Sequence, residues 1–92
     1  MITTFQAYTD SQHGWAKVHK SILAELGLHD KITRFSYMNG EFAYLECDWD
    51  LSRFVEAFEK KYGQKPIFKT HMSNGRSRIR NYPTYFCKME KA

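Results

Sequence analysis

Cysteine is scarce in this 92-residue chain: Cys47 and Cys87 are the only two. They are too few for a disulfide framework or a four-cysteine zinc site, and a reducing compartment suits them best. No apolar run approaches the ~20 residues that a bilayer requires. No stretch at Met1 joins a basic lead, an apolar run and a small-residue cleavage site, so the sequence implies a cytoplasmic protein with no membrane partner. A glycine-rich phosphate loop, a nucleophile elbow and a zinc-type spacing are missing too, and for so small a chain the default is binding rather than catalysis. What is present excludes disorder: 42% of residues are hydrophobic and 16% aromatic. The length fits one α+β domain over residues 1–92, which on folding buries roughly 60–65% of the surface its unfolded form exposes.

Charge is unevenly distributed. Residues 1–59 hold five Lys and Arg against nine Asp and Glu, net −4, whereas residues 60–92 hold nine against one, net +8. A basic carboxy-terminal segment, 65–92, attracts polyanions over about one Debye length, ~8 Å at physiological salt. The bland alternative is a solvated tail that only aids solubility.

Ile2–Tyr8 is rich in β-branched and aromatic residues and reads as a first strand. Trp15, Val18, Ile22 and Leu26 recur at helical spacing until Gly27, which predicts a first helix, although Gly14–Val18 also suits a strand. Asn39-Gly40 predicts a two-residue turn. With Met38 opposite Glu41, Tyr37 pairs with Phe42 and Phe35 with Tyr44, and the four rings share a face. Leu51, Phe54, Val55, Phe58 and Tyr62 predict a second helix ending at Gly63. Pro66 places Ile67–Met72 at or near a sheet edge, Ser73-Asn74-Gly75 reads as a turn, and a last extended piece covers Arg76–Lys88. The order strand, helix, strand, strand, helix, strand predicts a ferredoxin-like split βαβ fold, a four-stranded antiparallel sheet with two helices on one face. A hairpin-first sheet with the same two helices is the alternative.

Arg76, Arg78 and Arg80 alternate with Ser77 and Ile79, so an extended backbone would put three guanidiniums on one side. Such forks suit phosphate and carboxylate, and Lys65 and Lys69 widen the field. Pairing with the chain's own acids would weaken this patch. Glu46, Asp48 and Asp50 alternate before the second helix, but no EF-hand loop begins at any of them, and they read as helix caps with no metal. His13, His19, His29 and His71 form no zinc pattern with the cysteines. His13 beside Asp10, or His71 with Cys87, would have to serve any hydrolase, and neither pair has the setting that activates a nucleophile. No cofactor is expected.

Gly40-Glu41-Phe42-Ala43-Tyr44-Leu45 distantly resembles the third-strand motif of RNA-recognition domains, although Glu41 interrupts the glycine–aromatic order. That resemblance implies a single-strand reader with Tyr37, Phe42 and Tyr44 as its stacking platform. His13-Gly14-Trp15, Phe35-Ser36-Tyr37 with Gly40 and Phe42–Glu46, and Arg76–Tyr82 resemble a family of small proteins carried by phages and other mobile elements. This second resemblance implies a monomeric, non-enzymatic inhibitor of the anti-CRISPR kind in the cytoplasm of an infected bacterial host. Through Arg76, Arg78 and Arg80 it would dock on a host CRISPR-Cas or other nucleoprotein complex and block its access to DNA. Salt separates the two readings, since naked-strand binding weakens steeply as salt rises.

Overall fold

The first third of the chain opens as a hairpin, not as a strand followed directly by a long helix. The computed structural model describes residues 3–73 and 77–86. β1 (Thr4–Thr9) pairs antiparallel with β2 (Gly14–His19), and only Lys20–Glu25 then forms a helix, α1. The helical spacing from Trp15 to Leu26 misleads because β2 is central and buried on both sides. Ala16 and Val18 face the main core and Trp15 is buried on the opposite side, so Lys17 alone keeps the polar/apolar alternation of a half-exposed strand from Trp15 to Val18. His19 Nδ1 accepts the Ser21 N–H at 3.1 Å to start α1, and Gly27 at φ +74° turns the chain after Leu26.

β3 (Tyr37–Asn39) and β4 (Phe42–Glu46) form the second hairpin. Its turn is Gly40-Glu41, one residue later than expected, so Tyr37 pairs with Tyr44 and Asn39 with Phe42. Gly40 at φ +64° supplies the one positive φ of the turn, which leaves Asn39 extended. Phe35 falls outside the strand and is exposed, and Cys47 lies beyond the end of β4. Displacing each partner by two residues keeps every side chain on its side of the sheet. Tyr37, Phe42 and Tyr44 therefore still share a face.

α2 (Asp50–Tyr62) leads to β5 (Ile67–Met72), which runs parallel to β1. The sheet therefore has five strands, ordered β3-β4-β2-β1-β5, and is mixed. This corrects the expected four-stranded antiparallel sheet with two full helices, in either strand order: α2 is the one main helix. From β4 to β5 the chain must cross three strand spacings, about 14 Å, and the thirteen residues of α2 span about 20 Å. A helical crossover of that reach returns the chain in the direction of β4, which makes β5 parallel to both β4 and β1.

α1 and α2 cover one sheet face. Phe5, Val18, Ala43 and Leu45 meet Leu23, Leu28, Phe54 and Phe58 there, and Phe5 stands edge-on to Phe54 and Phe58 at centroid distances of 5.2 and 5.7 Å. Asp50 points inward instead of capping α2. Its fully buried carboxylate accepts from Thr33 N–H and Oγ1 and from Ser36 Oγ, while Ser36 Oγ accepts the Glu46 N–H at 2.9 Å. The expected last strand is also corrected, because Arg78–Asn81 is a short 3-10 helix. Beyond it, Thr84 makes a single bridge to Tyr37. Asn74, Gly75 and Arg76, and Cys87 onward, lie outside the described residues.

Candidate functional site

The sheet face turned away from the helices gathers most of the residues singled out from sequence. Cross-strand pairing aligns Tyr37, Tyr44, Lys17, Gln6 and Lys69 in one row across all five strands. Trp15, Tyr8 and His71 form the neighbouring row, with Phe42 and His19 on the other side of the first. Tyr8 stacks on His71 at 5.2 Å, and His71 Nε2 lies 2.6 Å from Gln6 Oε1.

Ser77–Pro83 crosses half of this face as a strap, and beyond it Tyr85 is buried in the core on the helix side. Ile79 seats against Trp15 and Tyr44, flanked by Tyr8, Tyr37 and Tyr82. At the β3 edge, Met38 N–H donates to Pro83 O at 2.9 Å, and farther on the Tyr85 hydroxyl donates to His29 O at 2.7 Å. The likeness to RNA-recognition domains implies Tyr37, Phe42 and Tyr44 as an open stacking platform. The strap buries Tyr44 and partly covers Tyr37, leaving Phe42 as the exposed ring of the three.

The arginines diverge because a 3-10 turn does not hold alternate side chains on one side. Arg80 turns inward: its Nε donates to Asp10 Oδ2 at 2.7 Å and Nη2 to Oδ1 at 3.1 Å, with the guanidinium 5.4 Å from the Trp15 ring centroid. The Asp10 side chain is only 1% exposed. Arg80, together with the backbone N–H groups of Gln12, His13 and Ser77, holds this carboxyl well below the usual carboxylate range. The same contact raises the pKa of Arg80. Arg80 is therefore a latch for the strap and is not available to a partner. Arg78 is exposed, and Arg76 lies outside the described residues.

Between the end of β1 and the strap lies a cleft of about 570 Å³ lined by Tyr8, Tyr44, Ser73, Ser77, Arg78 and Tyr82, with Ile79 beneath. Among the described residues no carboxylate lines it. Burial, reinforced by Tyr82 and Tyr8, pushes the Tyr44 phenol up to about 12. The hydroxyl remains a hydrogen-bond donor throughout the physiological range.

The acids on or beside this face are engaged within the chain. Asp10 holds Arg80, Glu41 lies 3.0 Å from His19, and Glu46 accepts the N–H groups of Asp48 and Trp49. The cations are less occupied. Lys17 Nζ sits 4.3 Å over the Phe42 ring, and Lys69 and Arg78 have no acidic partner among the described residues. Lys65 is exposed just ahead of β5. Sequence reasoning missed Lys17, Gln6, Tyr8 and Tyr82. The alternation of Lys17 with Ala16 and Val18 was the available signal, and the helix expected there concealed it.

The chain matches no known family model, curated protein or solved structure. Its function is therefore read from its own surfaces. Ligand-type atoms of Glu46, Cys47 and Asp48 lie within 4.8 Å of one another, but both Glu46 oxygens accept backbone N–H groups and burial pushes the Cys47 thiol up. Such an exposed cluster assigns no metal. No helix among the described residues is long and apolar enough to cross a membrane.

Proposed function

We propose that the protein is a non-enzymatic module that holds single-stranded nucleic acid on the open half of its sheet face. The observation that carries this reading is the row Lys17–Gln6–Lys69, with Arg78 at the cleft beside it, on a face where the described acids Asp10, Glu41 and Glu46 each have a partner within the chain. Lysine and arginine meet the phosphates as point charge and fork. Phe42, and Tyr8 beside the cleft, offer ring surface on which a base gains roughly 1–3 kcal/mol by stacking. Gln6, between the two lysines, has its Oε1 held by His71 and offers its amide nitrogen to base edges. Fluorescence anisotropy with a labelled random single-stranded oligonucleotide at low salt should show saturable binding, which the Lys17→Ala/Lys69→Ala/Arg78→Ala variant loses while keeping its fold. Absence of binding by the wild-type chain at low salt removes this reading.

A second reading is favoured by the exposed Phe35 and Trp49, neither of which belongs to the cation row. Exposed aromatic side chains are suited to protein interfaces. Here the chain docks on a host nucleoprotein complex and blocks its access to DNA, as the likeness to mobile-element proteins implies. A purified CRISPR surveillance complex that retains the chain, together with no binding of naked strands, selects this alternative.

A further inference from the structure

The open row accounts for phosphates passing across the sheet, but it leaves unused the cleft between β1 and the strap. We infer that this cleft is a subsite for one nucleotide unit of the bound strand, with its phosphate on Arg78 and its base against the tyrosine rings. The inference rests on reading the face as a nucleic-acid surface and adds a specific pocket to it.

Size, chemistry and position support the assignment. About 570 Å³ lies within the range of small-ligand pockets, ~300–1,000 Å³, so a mononucleotide fits and a whole strand does not. The cleft is lined by donors with no competing acid among the described residues. Arg78 brings a fork and Ser73 a hydroxyl, while Ser77 Oγ already accepts the Ile79 N–H at 3.2 Å and so has its own proton left to donate. The Tyr44 hydroxyl is hydrogen-bonded to Tyr82 and so holds the wall of the cleft rather than serving as a free donor. Asp10 is close enough to accept the Ser77 N–H, and Arg80 neutralises its charge. Among the described residues Arg78 is the one guanidinium that lines the cleft, and its fork matches the oxygens of one phosphate.

The ring surfaces supply the second half of the site. Tyr44 and Tyr82 contact each other at 5.2 Å between centroids, and Tyr8 faces Tyr44 at 6.4 Å, so an apolar wall stands beside the donors. A phosphorylated aromatic group satisfies both halves, and two kinds qualify, a nucleotide and an aryl phosphate such as phosphotyrosine. The neighbouring face favours the nucleotide. Lys17 and Lys69 continue the positive surface away from Arg78 and flank Gln6 about 10 Å apart across two strand spacings, which provides for further phosphates of the same strand.

The test is an NMR titration of the full chain with thymidine 5′-monophosphate, thymidine, inorganic phosphate and phenyl phosphate. The nucleotide should shift Tyr8, Ser77 and Tyr82 saturably. Thymidine and inorganic phosphate should each bind at least ~10-fold more weakly, because each lacks one half of the contact, and Arg78→Ala should weaken the nucleotide by about the same factor. Thermal unfolding of Arg78→Ala should match the wild type, since this side chain is exposed. Equal binding of inorganic phosphate overturns base recognition, and tighter binding of phenyl phosphate overturns the nucleotide assignment. If oligonucleotides bind and the cleft residues do not shift, the subsite fails while the broader reading stands. If the mononucleotide binds in an Arg78-dependent way and oligonucleotides do not, the broader reading fails and the subsite stands.

Discussion

Asp10 joins two distant parts of the chain with one carboxylate. It closes the β1–β2 turn by accepting the N–H groups of Gln12 and His13, both at 2.9 Å, and fastens the strap through Ser77 N–H and the Arg80 fork. All these partners favour the charged form, so its folded pKa lies below its unfolded value of about 3.9. The resulting stabilisation is complete above the unfolded value and is lost as the pH falls through the folded one. Asp10→Asn should therefore lower the melting temperature by several degrees at neutral pH, and its deficit should shrink below about pH 4. Denaturant unfolding of both proteins across the acid range checks this, and a deficit unchanged down to pH 2 contradicts it. Tyr44 gives the opposite sign. Its phenol is raised to about 12, so the corresponding stabilisation is full below the unfolded value of ~10 and is lost as the pH rises through the folded one. In a phenolate absorbance titration, Tyr44→Phe should remove a step near pH 12.

The two faces of the sheet carry two packing layers, joined where Tyr85 enters the helix-side core, and Phe54 and Ile79 probe one layer each. Phe54 is fully buried between α2 and the sheet, so Phe54→Ala should cost about 3–5 kcal/mol, a large share of the ~5–15 kcal/mol that holds a small domain folded. Ile79→Ala empties the layer under the strap instead. It should speed hydrogen exchange at Arg80 and Tyr82, whose N–H groups bond to Ser77 O and Ile79 O, while leaving α2 amides protected. Uniform loss of protection in both elements would mean that strap and core unfold as one unit. The same division explains what could be read in advance. α2 was legible because Leu51, Phe54, Val55, Phe58 and Tyr62 state its period within one segment and Gly63, at φ +76°, ends it. The shared face of Tyr37, Phe42 and Tyr44 survived an error in register because a shift of two preserves sidedness. β2 was obscured because its two burial partners, the helices and the strap, lie elsewhere in the chain. The Arg78–Arg80 alternation looked extended, and only the distant Asp10 reveals why Arg80 turns inward. The parallel placement of β5 depends on a long crossover, which no local pattern records.

At the scale of the whole molecule, shape and charge act together. The molecule measures 35 × 34 × 20 Å, and its thin dimension accommodates a sheet with one helical layer. Among the described residues the strap is what lies across the opposite face, and Lys17 and Lys69 remain beside it. The +8 of residues 60–92 overstates what a partner meets, since Arg80 is neutralised internally. Among the described residues three cations, Lys17, Lys69 and Arg78, are left to contact phosphate on this face. Each phosphate neutralised on a single strand contributes about −0.7 to the slope of log K against log salt, so three predict a slope near −2. Between 50 and 200 mM salt, affinity should fall by roughly twenty-fold. The Lys17→Ala/Lys69→Ala variant should retain a slope of only about −0.7, carried by Arg78. Arg80→Ala should leave the slope intact unless the strap detaches, and the hydrogen exchange of Tyr82 reports detachment independently. A wild-type slope near zero would mean that binding, where present, does not run through these cations. An unchanged slope in the double variant would place the phosphates on a different surface.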